Sequence, residues 1–354
     1  LAGQGEGGAA IEAGEAAAPA KARAPLLRPT KGVHIVVPKS ALPVEHAIVC
    51  FHPADGRVLF ALPWGDVTYV GTTDTDYEGD PAAVRADRSD VAYLEAAMLR
   101  YFPNHPLRDE DIICTWAGLR PLVAPPGEGD VDESTVSREH RIVVGETGLI
   151  TIAGGKLTTY RLMSKDVVDS AVKMLRLRGA LSRRLRDPRT DEEPLPGAVS
   201  WPEDDDHAAV ARQVRDVGGP LISEATAKLL ADTYGMRGQE VARRVRQDKA
   251  LADPLVPGRP EILAQVDHAV SEELANTVVD VLKNRTQLFY RDRDQGLGAA
   301  AKVTERMARL LGWDGARSAA MLAAYEAEVA LSRAWRDDLA TPTADPATHE
   351  GPSA

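Results

Sequence analysis

The sequence is poor in cysteine, in positive charge and in long apolar runs. Two cysteines, Cys50 and Cys114, stand among 354 residues. That is too few for a disulfide framework, and neither has metal-ligand spacing around it. The pair fits a reducing, cytoplasmic compartment. The formal charge is −11. Such an acidic charge argues against non-specific nucleic-acid binding, which needs basic patches, and against general attraction to anionic lipid. Any anionic ligand must be met by a local basic pocket. No apolar run reaches the roughly 18–20 residues of a membrane helix. No secretory leader is visible. The chain opens on Leu1 rather than Met, so its start is expected upstream.

What remains is globular: 44% of the residues are hydrophobic, and the length allows two or three domains with a sizeable core. Residues 1–27 are rich in Ala, Gly and Glu without apolar period and read as a disordered linker. They hold a decoy. The letters GQGEGG at residues 3–8 fit G-x-G-x-x-G. A dinucleotide fingerprint needs a buried strand before it and a helix after it, and neither is there.

Residues 28–178 read as an α+β domain. Strands are expected at 33–37, 47–52, 58–62, 68–72 and 112–119, with a helix at 88–101. A turn carrying Asp55-Gly56 joins the second and third strands. Residues 73–81 form a polar loop and 124–135 a Pro/Gly/acidic loop. A hairpin at 141–144 and 149–152 leads into a helix with Met163, Val167, Ala171 and Met174 on one face. The sheet is mainly antiparallel, as suits a substrate-binding layer. Residues 179–202, with four prolines, read as a linker. Residues 203–336 read as an all-α C-terminal domain, with helices at 204–217, 222–233, 237–248, 259–270, 273–284, 296–311 and 314–335. Residues 337–354 read as a disordered tail.

The stretch with the most chemistry is ITIAGGKLTTYR at residues 150–161. A strand running through Gly154-Gly155 into a helix leaves bare backbone N–H groups at the helix start. The macrodipole there favours an anion by roughly 0.3–1 kcal/mol when exposed. Lys156 adds a charge, and Thr158 and Thr159 add hydroxyls. By residue type this is a polar ligand clamp, or else a plain strand–helix turn with a solvated lysine. His34, on an expected strand, has the residue type for proton transfer near neutrality. It is equally an ordinary histidine on a sheet face. Arg120 ends an apolar strand and Arg138 follows an acidic loop. Guanidinium forks match phosphate oxygens, although Arg138 also suits a structural ion pair. Thr73 and Asp74 suit either ligand contact or turn chemistry. His46, His52, His105 and His140 show no ligand spacing. Asp204, Asp205 and Asp206 read as charges at a helix start.

Several segments together resemble one family. They are KGVHIVVP at 31–38, GTTDTDYEGDP at 71–81, AGLRPL at 117–122, SRE at 137–139 and GGKLTTYR at 154–161. Their order across residues 28–175, with an all-α region behind, is similar to that of the FAD-dependent glycerol-3-phosphate dehydrogenases, within the D-amino-acid-oxidase-like flavoproteins. The resemblance implies a partial FAD-binding domain and oxidation of sn-glycerol 3-phosphate to dihydroxyacetone phosphate by hydride transfer to FAD. It implies quinone as the onward acceptor. A glycerol-phosphate oxidase using oxygen and a non-catalytic phosphometabolite-binding fragment are the alternatives. It implies His34 and Arg120 as catalytic residues, and Arg120, Arg138 and Lys156 as substrate contacts. Gly154, Gly155, Lys156, Leu157, Thr158 and Thr159 would line the flavin. No metal is implied. The resemblance admits a homodimer and peripheral contact with the inner face of the cell membrane. The family's N-terminal half, with its strand–GxGxxG–helix and an early phosphate-binding arginine, has no counterpart in these residues. The chain alone is therefore expected to bind FAD poorly, and activity is expected of the whole protein.

Overall fold

The structure is a computed structural model that describes residues 27–123, 139–145 and 147–338. Arg138, most of the arms expected at 1–27 and 337–354, and the acidic loop lie outside the described residues.

One long strand organises the first half. β1 (Leu27–Pro38) pairs along one edge with β4 (Val67–Gly71) and then with the two-residue β5 (Thr75–Asp76). Along its other edge it pairs with β6 (Cys114–Val123). β2 (Ile48–Phe51) and β3 (Val58–Trp64) complete the order β2-β3-β4-β1-β5, with β6 beyond β1, and every pairing is antiparallel. Residues 72–74 bulge between the two stretches that pair with β1. The expected strand at 112–119 instead runs through Pro121 to Val123. Its partners reach back to Leu27, and proline is tolerated in β6 because that strand lies at the sheet edge, paired with β1 alone among the described strands.

The period of two in β1 sorts its side chains onto two faces. Val33, Ile35 and Val37 are fully buried in a cluster with Leu59, Ala61 and Val70. Over that face lies α1 (Arg88–Tyr101), contributing Val91, Leu94, Ala97 and Met98. Asp87 caps α1, its carboxylate accepting from Ser89 and Asp90 N–H, and Asp90 answers by accepting from Asp87 N–H. Such a capping box fixes a helix start. The opposite face takes its helical cover at one end. Val36, Val67 and Cys114 pack with Val278, Leu282 and Phe289 of the helical region. From His34 toward Arg120 this face leaves the helical cover.

β7 (His140–Val144) and β8 (Ile150–Gly154) form a separate two-stranded sheet. It meets the end of β6, where Val123 lies beside Gly154. α2 (Tyr160–Leu177) follows and buries none of its side chains. His140 Nε2 sits 3.0 Å from Asp166 Oδ2 and ties β7 to α2.

The remaining helices form two groups. α3 (His207–Gly218), α4 (Glu224–Tyr234) and α5 (Gly238–Gln247) share a core with Val210, Val214, Leu230 and Val241. Asp206 caps α3, consistent with a helix-start role for the acidic run. α6 (Ala264–Ser271), α7 (Leu288–Arg291), α8 (Leu297–Leu311) and α9 (Gly315–Arg333) lie beyond. α6, α8 and α9 share the sheet-facing cluster. The helix expected at 273–284 is instead one wide π-type turn, Asp280–Arg285, and α7 is an addition. The last described turn returns to the sheet: Trp335 is fully buried beside Val91 and Leu94. No helix among the described residues is long and apolar enough to cross a membrane.

Candidate active site

Two glycines make the site. Gly71 lies opposite His34 in the β1–β4 ladder. A Cβ there would stand 2.1 Å from His34 Cδ2, so the imidazole can lie flat only over glycine. The ring stacks on Trp116 from β6, with centroids 4.7 Å apart and planes 12° apart. Gly32 does the same for Arg120. A Cβ at Gly32 would lie 2.6 Å from Arg120 Nη2. The arginine therefore crosses β1 from β6 and reaches the bulge on the far side.

There its fork is received by three groups among the described residues. Nη1 donates to Asp74 Oδ1 at 2.9 Å. Nη2 donates to the Thr73 carbonyl at 3.0 Å and to Thr72 Oγ1 at 3.2 Å. Arg57 donates to the Asp74 carbonyl from the solvent side. Between these side chains Gly118 leaves open floor, with no heavy atom within 4 Å of where a Cβ would be.

Burial drives the His34 pKa down, and the Arg120 charge adds to it, so the imidazole is pushed down to about 4. At neutral pH it is uncharged. Nδ1 is enclosed and has no hydrogen-bond partner among the described residues. The arrangement is a cation held in fixed orientation beside a neutral imidazole, on one sheet face. It can hold an anionic group and accept a proton from a neighbouring hydroxyl.

The glycine-pair turn has a different character. Gly154 and Gly155 have φ of 74° and 83°, in the left-handed region where glycine is favoured. A single 3₁₀ turn, Leu157–Thr159, then leads into α2, and neither has a side-chain cap. Among the described residues no side chain caps its first amides. Lys156, Leu157, Thr158 and Thr159 are exposed. Lys156 makes no hydrogen bond to His34 or Arg120 among the described residues. The structure unites His34 and Arg120, and sets the glycine-pair turn beyond the end of the strand that carries Arg120.

Reasoning from sequence left out Gly32, Gly71 and Trp116. Gly32 and Gly71 both lie inside the quoted motifs, and a glycine inside a strand is the usual sign of close approach. Asp74 was considered, but not as the acceptor for Arg120. Among the described residues no group of acidic, His or Cys side chains could hold a metal ion.

The antiparallel sheet, the strand–glycine-pair–helix turn beside it and the helical region behind are those of a D-amino-acid-oxidase-like flavoprotein fold. A family profile described as "FAD dependent oxidoreductase" matches residues 6–161. A second, described as "C-terminal domain of alpha-glycerophosphate oxidase", matches residues 188–318. The chain is 34% identical over 289 residues to the aerobic glycerol-3-phosphate dehydrogenase of Staphylococcus haemolyticus, covering 81% of this chain and 50% of that protein. It is 34% identical over 318 residues to glycerol-3-phosphate dehydrogenase 2 of Mycobacterium tuberculosis, covering 88% and 51%. The glycerol-3-phosphate dehydrogenase structure from Bacillus halodurans, complexed with FAD, superposes with a TM-score of 0.72 at 28% identity, covering 87% of this chain and 57% of that one. The chain belongs to the FAD-dependent glycerol-3-phosphate dehydrogenase family. It spans about half the length of the curated relatives it matches.

Proposed function

We propose that this chain supplies the substrate-facing half of a site that oxidises sn-glycerol 3-phosphate to dihydroxyacetone phosphate with FAD. The observation that carries this is the neutral His34 laid beside the clamped Arg120 by Gly71 and Gly32. Arg120 would bind the phosphate. With Nδ1 enclosed, Nε2 of His34 would accept the proton of the C2 hydroxyl. Arg138 and Lys156 would add charge to the phosphate or the flavin.

The residues present fit a flavin. The left-handed Gly154-Gly155 pair and the uncapped turn after it offer backbone N–H groups, and Gly118 leaves room over the sheet. Gly154, Gly155, Lys156, Leu157, Thr158 and Thr159 would hold the ring end and ribityl chain. A bound flavin supplies the acceptor for the hydride from C2. The chain's part is to orient the substrate and hold the proton. Electrons would pass on to quinone. Oxygen is the second reading, favoured by the oxidase description of the profile that matches the helical region. Peroxide formation separates the two. A homodimer and peripheral contact with the inner face of the cell membrane belong to the same proposal.

The test titrates glycerol 3-phosphate into the purified chain by calorimetry, with glycerol as control, and assays dye reduction with added FAD. Binding that requires the phosphate and is lost in Arg120→Ala is expected. Equal binding of glycerol and glycerol 3-phosphate, unchanged by Arg120→Ala, would overturn the reading.

A further inference from the structure

The other side of β1 holds a buried ion cluster that the reaction does not use. Lys31 is only 9% exposed. Its Nζ donates to Asp87 Oδ2 at 2.7 Å and to Asp90 Oδ2 at 2.6 Å. Burial works against its charge, yet hydrogen bonds to the two carboxylates hold its pKa above the ordinary lysine value. Breaking one partner of such a pair leaves an uncompensated buried charge, so the cluster is a fixed point.

Thr73 joins that fixed point to the site. Thr73 is 3% exposed. Its Oγ1 donates to Asp90 Oδ1 at 3.3 Å and accepts from Val33 N–H at 3.0 Å. Its own N–H donates to the Val33 carbonyl at 3.4 Å. Its carbonyl is the one that accepts from Arg120 Nη2. One residue therefore faces the buried cluster with its side chain and the arginine with its backbone. Thr72 and Asp74, on either side, supply the other two acceptors of the fork.

We propose that Lys31, Asp90 and Thr73 form a latch that positions Arg120 for anion binding, with Thr73 as the positioning residue. α1 anchors Asp90 through its capping box, Asp90 and β1 hold the Thr73 hydroxyl, and Thr73 fixes the bulge that receives the guanidinium. The bulge has no regular ladder of its own, which is why it needs an anchor. This assigns Lys31 of the KGVHIVVP segment and Thr73 of the GTTD segment a shared role. It rests on the reading of Arg120 as the anion-binding residue.

The experiment follows the His34 imidazole by NMR in the whole 354-residue chain, with inorganic phosphate as the probe. Three variants are compared with the parent: Arg120→Ala, Thr73→Val and Thr73→Ser. Thr73→Val keeps shape but removes both hydroxyl bonds. It is expected to weaken phosphate binding about tenfold, the scale of one to two lost hydrogen bonds. Because Arg120 then moves away from the ring, the His34 titration midpoint should also rise. Thr73→Ser should restore both readouts, which a merely structural loss would not. If Arg120→Ala abolishes binding while Thr73→Val binds as the parent does, the latch is overturned and the Arg120 reading stands. If the parent binds no phosphate, the Arg120 reading falls. The His34 midpoint then reads the positioning alone: a rise in Thr73→Val supports Thr73 as the residue that places Arg120, and no change overturns it. Thr73→Ala gives the same comparison if the valine variant does not fold.

Discussion

The sheet shelf and the glycine-pair turn are two halves of one candidate site built in opposite ways. On the shelf the two candidate side chains already have their places. Arg120 lies across Gly32 into three acceptors, and His34 lies on Trp116 over Gly71. On the turn the side chains from Lys156 to Tyr160 are exposed, and α2 buries none of its residues. Preorganised groups bind and react without being reordered, which is where electrostatic catalysis gains most. Exposed groups with uncapped amides gain their order from what covers them. The difference teaches that the stretch richest in motif chemistry need not be the one the fold holds most firmly.

Four substitutions or conditions would break or sharpen this contrast. The largest effect is expected from Gly71→Ala, whose new Cβ must displace the His34 ring from Trp116. Overpacking of this kind costs roughly 1–3 kcal/mol, measured by denaturant unfolding. Unchanged stability would mean that the ring is not held as described.

Acid comes next. The folded His34 pKa, about 4, lies below the roughly 6.5 of an unfolded histidine. The unfolded chain then binds the extra proton. Stability from this residue is full above pH ~6.5 and is lost as pH falls from there toward 4. His34→Gln should flatten that part of the melting-temperature profile, and an identical profile would remove the neutral imidazole from the account.

On the other half, His140→Ala cuts the tie to Asp166 between β7 and α2. A part-exposed pair of this kind is worth up to about 1 kcal/mol. Hydrogen exchange should speed up in α2 while β1 and β6 keep their protection. Lys156→Ala is expected to change stability by less than about 0.5 kcal/mol. A larger loss in unfolding experiments would show that Lys156 has a structural partner, and the contrast would fail at its clearest point.

The parts legible in the sequence are those set by local rules. α1 begins and ends at the residues its period predicts, because Asp87 and Asp90 signal the start within four positions. The antiparallel order followed from short strands and a turn carrying Asp55-Gly56. The segments that carry His34 and Arg120 were legible, and the structure sets the two side chains on one sheet face. What escaped depends on contacts between distant positions. The two-residue β5 exists only because Thr30 and Lys31 offer it an edge. Asp74 became an acceptor because Arg120, 46 positions on, crosses a strand to reach it. The π-type turn at Asp280–Arg285 has no period to announce it. The helical region also shares a core with the sheet, through Val36, Val67 and Cys114. A composition-based boundary at residues 179–202 could not reveal that.

Trp335 has a consequence for how the protein is made. Its ring fills the apolar layer between the sheet and α1, flanked by Arg88 and Arg336, and Arg85 pairs with Asp338 just after it. Every other fully buried member of that layer lies before residue 115. A ribosome therefore completes the strands and α1 more than two hundred codons before it delivers the side chain that closes over them. During that interval the nascent layer keeps an uncovered apolar seam, the kind of surface chaperones hold. A message broken after the Val123 codon and ahead of the Trp335 codon would yield this sheet with all its strands and no lid.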